Sequence, residues 1–265
     1  MDICTKGGDV ILHQSELDLA QTLDCGQAFR WTETDKGTFT GYFRKTPLTV
    51  SQNGDVFTFR NVSEQEFLDI WADYFDLQTD YGEITARLSE DEHLAKACAY
   101  APGIRLLRQD AEECLISFII SQNNNIPRIK GIISRLADIY GGFPTAEELA
   151  DADEEKLSPL RAGFRTKYLL DCIDKLRTGD VDIPRVRSLP LDEAAKELMK
   201  IKGVGIKVAM CTLLFGFHRT EAYPVDVWIR RVNEQFYPNG LPECTRGIEG
   251  IAQQYLFHAV RNGVL

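Results

Sequence analysis

The hydrophobic period of the chain changes near residue 63, and that change limits the fold more than any single motif. Before it, apolar residues fall as they do in strands. Val10-Ile11-Leu12 is a short apolar run, and Thr38 to Phe43 and Leu48 to Val50 are rich in β-branched and aromatic residues. Asn53-Gly54, followed by Val56-Phe57-Thr58-Phe59, is a strong hairpin signal. A short helix is predicted over Leu17 to Thr22. After residue 63 the spacing is helical. Ser63 stands three residues before Glu66, a capping-box spacing that opens Phe67, Leu68, Ile70 and Trp71. Leu115, Ile116, Phe118, Ile119 and Ile120 make a nearly all-apolar helix of the kind buried in a core, and Ile129, Ile132, Ile133 and Leu136 continue the spacing. Pro144-Thr145 with Glu148 predicts another helix start, and further helices are predicted over 167–176, 191–199, 206–217, 227–236 and 250–261. The expected class is α+β: a small N-terminal antiparallel β-sheet domain with trailing helices, residues 1–105, packed on a larger all-α domain, residues 106–265.

At 265 residues the chain is long enough for one large or two modest domains, and 44% hydrophobic with 26% charged residues excludes a disordered, collagenous or coiled-coil protein. No apolar run approaches the roughly 18 residues of a membrane span, and the N-terminus has an acidic residue early and no apolar core, unlike a secretory signal. A soluble, intracellular monomer without a membrane partner is expected, in the cytoplasm or nucleoid if the source is bacterial or archaeal. Lys and Arg number 30 against 40 Asp and Glu, a net charge of −10. A uniformly acidic surface would repel DNA. The charge is segregated, however: residues 64–92 carry ten acids against Arg87 alone, whereas 156–177 and 200–231 are each predominantly basic. One face can therefore be basic while the rest is acidic. The 7 cysteines are scattered and never form a C-x-x-C pair, which argues against a zinc site, a disulfide framework or an iron–sulfur cluster.

Residues 198–226 carry the chemistry. A helix ends near Lys200, Gly203-Val204-Gly205 makes a tight turn, and a second helix starts at Ile206. Backbone amides at such a helix start form an anion site, and with Lys200 and Lys202 alongside a phosphate is the natural occupant. Alone, this turn would be an ordinary helix–turn–helix connection. The whole stretch, ending in Tyr223-Pro224-Val225-Asp226, resembles the helix–hairpin–helix motif and Gly/Pro-rich loop of the helix–hairpin–helix DNA glycosylase superfamily, with Lys207 where its bifunctional members carry a lysine. Asp24-Cys25-Gly26-Gln27-Ala28-Phe29-Arg30-Trp31, the asparagine run Ser121-Gln122-Asn123-Asn124-Asn125-Ile126-Pro127-Arg128, Gly163-Phe164-Arg165-Thr166-Lys167-Tyr168 and Ala252-Gln253-Gln254-Tyr255-Leu256-Phe257 are similar to elements of 8-oxoguanine DNA glycosylase/lyases, and they occur in family order over nearly the whole chain.

The resemblance implies an enzyme that flips a damaged nucleotide out of duplex DNA. Its sugar passes through a cation-like state that a carboxylate, Asp226, would stabilise. An amine, Lys207, would take C1′ as a Schiff base that permits β-elimination. Lys207 must be unprotonated to attack; burial would lower its pKa, and an ionised Asp226 close by would raise it. Lys207 could otherwise be a phosphate-binding lysine, and Asp226 can cap the helix from Val227 as well as act in catalysis. The resemblance further implies a base pocket: Phe257 and Cys211 on the two faces of 8-oxoguanine, Gln253 on its Watson–Crick edge, and the Gly26 carbonyl accepting the N7 proton that guanine lacks. Core packing is the other reading of Phe257 and Cys211, and a solvated helix position that of Gln253. Asn123, Arg128 and Arg165 match positions that hold the widowed cytosine, where phosphate contact or a surface ion pair is the alternative for the arginines. Phe164 falls where a wedge enters the stack, and Asn124 and Asn125 suit turn and helix-end hydrogen bonds. The hairpin amides of Gly203, Val204 and Gly205 would grip a phosphate. Trp228 departs from relatives that carry a histidine there. No cofactor is required. Hairpins of this type often bind a cation through backbone carbonyls, and the resemblance implies such a site at Met199, Ile201 and Val204.

The sequence leaves three other readings: a glycosylase of this superfamily for another damaged base, a non-catalytic helix–hairpin–helix DNA-binding module, and an acidic α+β adaptor with no salt-dependent affinity for DNA.

Overall fold

The structure is a computed structural model that describes residues 2–265. Its N-terminal strands are β1 (Asp2–Lys6), β2 (Asp9–His13), β3 (Thr32–Asp35), β4 (Thr38–Phe43), β5 (Thr46–Asn53) and β6 (Val56–Arg60), with helix α1 (Leu19–Leu23) between β2 and β3. They form one antiparallel sheet in the order β1-β2-β6-β5-β4-β3. The alternation works as expected. Val10, Leu12, Leu48, Val50, Phe57 and Phe59 are buried on one face, and the Asn53↔Val56 pairing closes the two-residue hairpin. Ser63 caps the following helical turns, its hydroxyl accepting from the Glu66 N–H at 3.1 Å. Those turns deliver Phe67, Trp71, Tyr74 and Phe75 to the sheet, where Trp31 donates its indole N–H to the Tyr74 hydroxyl at 2.7 Å.

The chain divides into two units. The first comprises the residues up to Arg108 together with Val225–Leu265, and the second is Gln109–Pro224. In the first, α2 (Tyr81–Leu88) and α3 (Glu92–Tyr100) follow the sheet. The second holds α4 (Ala111–Ser121), α5 (Ile126–Tyr140), α6 (Arg165–Thr178), α7 (Leu191–Leu198) and α8 (Ile206–Gly216). The chain then returns to the first unit as α9 (Val227–Phe236) and α10 (Glu249–Arg261). α10 packs on α3, and its Tyr255 hydroxyl donates to the Ile104 carbonyl at 3.1 Å.

One predicted helix does not form. Thr145 and Glu148 make reciprocal hydrogen bonds, Thr145 N–H to Glu148 Oε2 at 3.0 Å and Glu148 N–H to Thr145 Oγ1 at 3.3 Å, yet only turns follow. The box is followed by a single turn, in which the Leu149 N–H reaches the Thr145 carbonyl at 3.2 Å. Among the described residues no helix is long and apolar enough to cross a membrane.

Candidate active site

In the second unit, α4 and α8 cross where Gly216 lies against Ala111 and Cys114; a Cβ at Gly216 would stand 2.9 Å from both neighbours. This approach stacks Phe118 of α4 on Phe215 of α8, ring centroids 5.3 Å apart. The Lys207 ammonium lies 5.4 Å from the centre of the Phe118 ring. An aromatic face favours the cation modestly, and it also fixes where the amine sits. Cys211 is buried one turn further along α8, so Lys207 and Cys211 share a face of that helix.

The hairpin between α7 and α8 is partly as expected. Gly203 has φ +82, and a Cβ there would collide with the Tyr168 ring, so both backbone and packing require glycine. Among the described residues, the backbone hydrogen bonds of the hairpin do not use the Gly203 and Gly205 amides as donors. Val204 corrects the expectation: its N–H closes the turn on the Ile201 carbonyl at 3.0 Å and its side chain is buried, so this residue does not offer an amide to a phosphate. The carbonyls of Met199, Ile201 and Val204 could serve a cation only with Ile201 keeping a single lone pair after that bond. Among the described residues no group of three His, Cys, Asp or Glu could hold a metal ion.

The asparagine run is a turn between α4 and α5. Asn124 Nδ2 donates to the Ile120 carbonyl at 3.1 Å, and Asn125 caps α5 by accepting from the Arg128 N–H at 3.0 Å. Asn123 is exposed with φ +46, a left-handed conformation that asparagine tolerates. Arg128 is exposed. Arg165, expected to reach a base, is 1% exposed. Its Nε donates to the Gln122 carbonyl at 2.8 Å, Nη2 to the carbonyls of Gln122 and Asn123, and Nη1 to the Ala162 carbonyl at 3.1 Å. Burial pulls its pKa below the usual guanidinium value, with positive Arg128 adding to the effect. Arg165 is thus neither a surface ion pair nor a free reader; it holds the backbone that presents Asn123. Phe164, 52% exposed, lies against the Arg165 guanidinium at 4.5 Å and meets Tyr168 edge-on. An exposed aromatic held this way can act as a wedge.

In the first unit, Gly26 has φ +85, and a Cβ there would sit 3.6 Å from Phe257. Gln27 fixes this turn. Fully buried, it donates from Nε2 to the carbonyls of Thr22 and Arg105, both at 2.8 Å, and accepts from the Leu107 N–H at 2.9 Å. Gln253 is buried, not solvated, and its Oε1 accepts from Gln254 Nε2 at 2.8 Å, leaving its own NH₂ to donate elsewhere. The sequence names Gln254 in the same element without a role, because a second glutamine on a helix has no distinguishing pattern. Asp226 caps α9 with one oxygen: Oδ1 accepts from the N–H groups of Trp228 and Ile229, both at 2.9 Å. Both cap bonds go to Oδ1, and Oδ2 takes no part in the cap. At Trp228 the Arg231 guanidinium stands over the indole at 5.2 Å.

Residues 9–115 match the family described as 8-oxoguanine DNA glycosylase, N-terminal domain, and residues 116–242 match the HhH-GPD superfamily of base excision DNA repair proteins. The chain is 31% identical to the N-glycosylase/DNA lyase of Saccharomyces cerevisiae over 270 residues, covering 88% of this chain and 71% of that protein. It is 30% identical over 254 residues to an N-glycosylase/DNA lyase of Arabidopsis thaliana, covering 82% and 66%. Its structure resembles that of the Clostridium acetobutylicum 8-oxoguanine glycosylase/lyase in complex with duplex DNA containing cytosine opposite 8-oxoguanine. There the TM-score is 0.91 and the identity 36%, over 100% of this chain and 99% of that one.

Proposed function

The chain belongs to the 8-oxoguanine DNA glycosylase family within the HhH-GPD superfamily of base excision repair proteins, and on that premise we propose that it excises 8-oxoguanine opposite cytosine from duplex DNA and then cleaves the abasic strand. The observation that carries the reading is the amine. Lys207 stands at the head of α8, held over the Phe118 ring, with Cys211 one turn away on the same face. A DNA-binding module needs neither this lysine nor Asp226.

In this reading Lys207 Nζ attacks C1′ as the C1′–N9 bond breaks. The bonding electrons leave with the base, which takes up a proton at N9. The nitrogen gives up a proton, the sugar ring opens at C1′–O4′, and an imine forms between Nζ and C1′. Loss of a C2′ proton then expels the 3′ phosphate, and water releases the lysine. Asp226 Oδ2 supplies the negative charge that the cation-like sugar needs. Phe257 and Cys211 contact the faces of the base, the Gln253 NH₂ donates to its Watson–Crick edge, and the Gly26 carbonyl accepts its N7 proton. Asn123 and Arg128 read the widowed cytosine, Phe164 fills the gap, and the Gly203 and Gly205 amides grip a phosphate. No cofactor takes part in these steps.

Borohydride trapping tests the function. A covalent band is expected with duplex carrying 8-oxoguanine opposite cytosine. Base release without a band would make the protein a monofunctional glycosylase, and a preference for an alkylated purine or oxidised pyrimidine would move it to another lesion. Binding with neither reaction would leave a DNA-binding module.

Two substitutions probe specificity. Gly26→Ala places a methyl group beside Phe257 and strains a left-handed backbone by about 1–2 kcal/mol. A fall of about tenfold or more in 8-oxoguanine excision is expected in single-turnover assays; undiminished excision would remove Gly26 from the base contacts. Arg165→Ala leaves buried carbonyls of Gln122, Asn123 and Ala162 without their donor, a loss of about 1–3 kcal/mol in stability. The preference for cytosine over the other opposite bases is expected to flatten as the turn carrying Asn123 loosens. A lowered melting temperature with intact preference would make Arg165 structural only.

A further inference from the structure

We propose that Asp171 and Lys175 are positioning residues for the DNA grip, clamping the hairpin to α6 so that its outward amides meet a phosphate. The proposal rests on the reading of this turn as a phosphate site. Tyr168, Asp171 and Lys175 recur at helical spacing on one face of α6, and all three engage the hairpin. The Tyr168 ring occupies the space beneath Gly203. Asp171 Oδ2 accepts from the Lys202 N–H at 2.6 Å. The Lys175 ammonium donates to the Lys200 carbonyl and pairs with Asp171 Oδ2 at 3.1 Å. A carbonyl and an amide on either side of Ile201 are thereby tied to the same helix, while the Gly203 and Gly205 amides are left untouched.

The charges matter as much as the bonds. A carboxylate beside a phosphate site would repel the ligand, and Lys175 neutralises Asp171 at the point of contact. The helix that holds the hairpin also begins with Arg165, which holds the Asn123 turn. At about 1.5 Å per residue, α6 sets these two attachments about 9–15 Å apart on a rigid rod. Asp171 and Lys175 therefore fix the hairpin in register with the cytosine-reading turn.

The test compares wild type with Asp171→Ala, Asp171→Asn and Lys175→Met. Affinity for the 8-oxoguanine·cytosine duplex is measured across a salt series, and base release in single turnover at saturating enzyme. For Asp171→Ala we expect Kd to rise about tenfold and the slope of log K against log salt to change, the lost phosphate contact being offset in part by the freed Lys175 charge. The saturated rate should stay within about twofold of wild type. Asp171→Asn, which still accepts from the Lys202 N–H, should recover most of the affinity. Lys175→Met, which uncovers the carboxylate, should lose the most. A purely structural role would not move the salt slope or split affinity from rate. If Asp171→Ala fails to fold, the contrast between Asp171→Asn and Lys175→Met decides. Wild-type affinity and slope in the variants overturns the proposal, as does a fall in saturated rate with unchanged Kd. Failure of the wild-type protein to bind the duplex overturns the functional reading beneath it.

Discussion

Lys207→Gln is expected to abolish strand cleavage and base release together, by at least about 10³-fold in single turnover, while affinity for the lesion duplex stays within a few-fold of wild type. The amide has similar length but no nucleophilic lone pair, so the Schiff base cannot form and the borohydride band must vanish. The two activities fall together because one nitrogen serves both steps. Loss of the contact between the ammonium and Phe118 removes only about 0.5–2 kcal/mol, too little to unfold the crossing of α4 and α8. Base release that continues without strand cleavage would make water the nucleophile and confine Lys207 to the lyase step. Full turnover would remove it from the chemistry.

Asp226→Asn separates the two jobs of that residue. Asparagine caps a helix about as well as aspartate, so the bonds from the Trp228 and Ile229 N–H groups to Oδ1 persist and the melting temperature should scarcely move. The negative charge is lost, and with it the stabilisation of the sugar cation. A fall of at least about 10²–10³-fold in the saturated rate is expected, by analogy with loss of a single preorganised electrostatic contact. Asp226→Ala removes the cap as well, costing about 1 kcal/mol and therefore a few degrees of melting temperature. Should Asp226→Asn keep the wild-type rate and lose only affinity, the residue is a cap and nothing more.

The legible parts of the fold are those in which burial acts on a local pattern. β2, β4, β5 and β6 alternate because one face is buried, and α4 is apolar throughout because it is enclosed. β1 and β3 carry no such mark, for the opposite reason. They are the two edges of the sheet, and the residues of β3 are all exposed, so no alternation marks them. In the candidate site, local placement is legible from residue type: an amine at a helix start, a carboxylate at a cap, a glycine at a left-handed turn. Partners are not. Arg165 is a polar residue at a helix start until the Gln122 and Asn123 carbonyls are brought to it. Likewise, Asp171 and Lys175 look like an ordinary i,i+4 pair on a solvated face until the hairpin lies across them. Such roles depend on which surfaces meet, and a local window of sequence does not contain that.

The return of the chain to the first unit has a consequence for how the protein is made. The sheet and α3 leave the ribosome well before α10, which packs on α3; all of 109–224 is made in between, roughly ten seconds at ordinary rates of synthesis. The segment bearing Lys207 is thus complete while Asp226, Gln253 and Phe257 are still untranslated. A stalled or prematurely terminated chain carries Lys207 without Asp226, Gln253 or Phe257. Vectorial synthesis therefore brings out the proposed nucleophile before the carboxylate proposed to promote base loss.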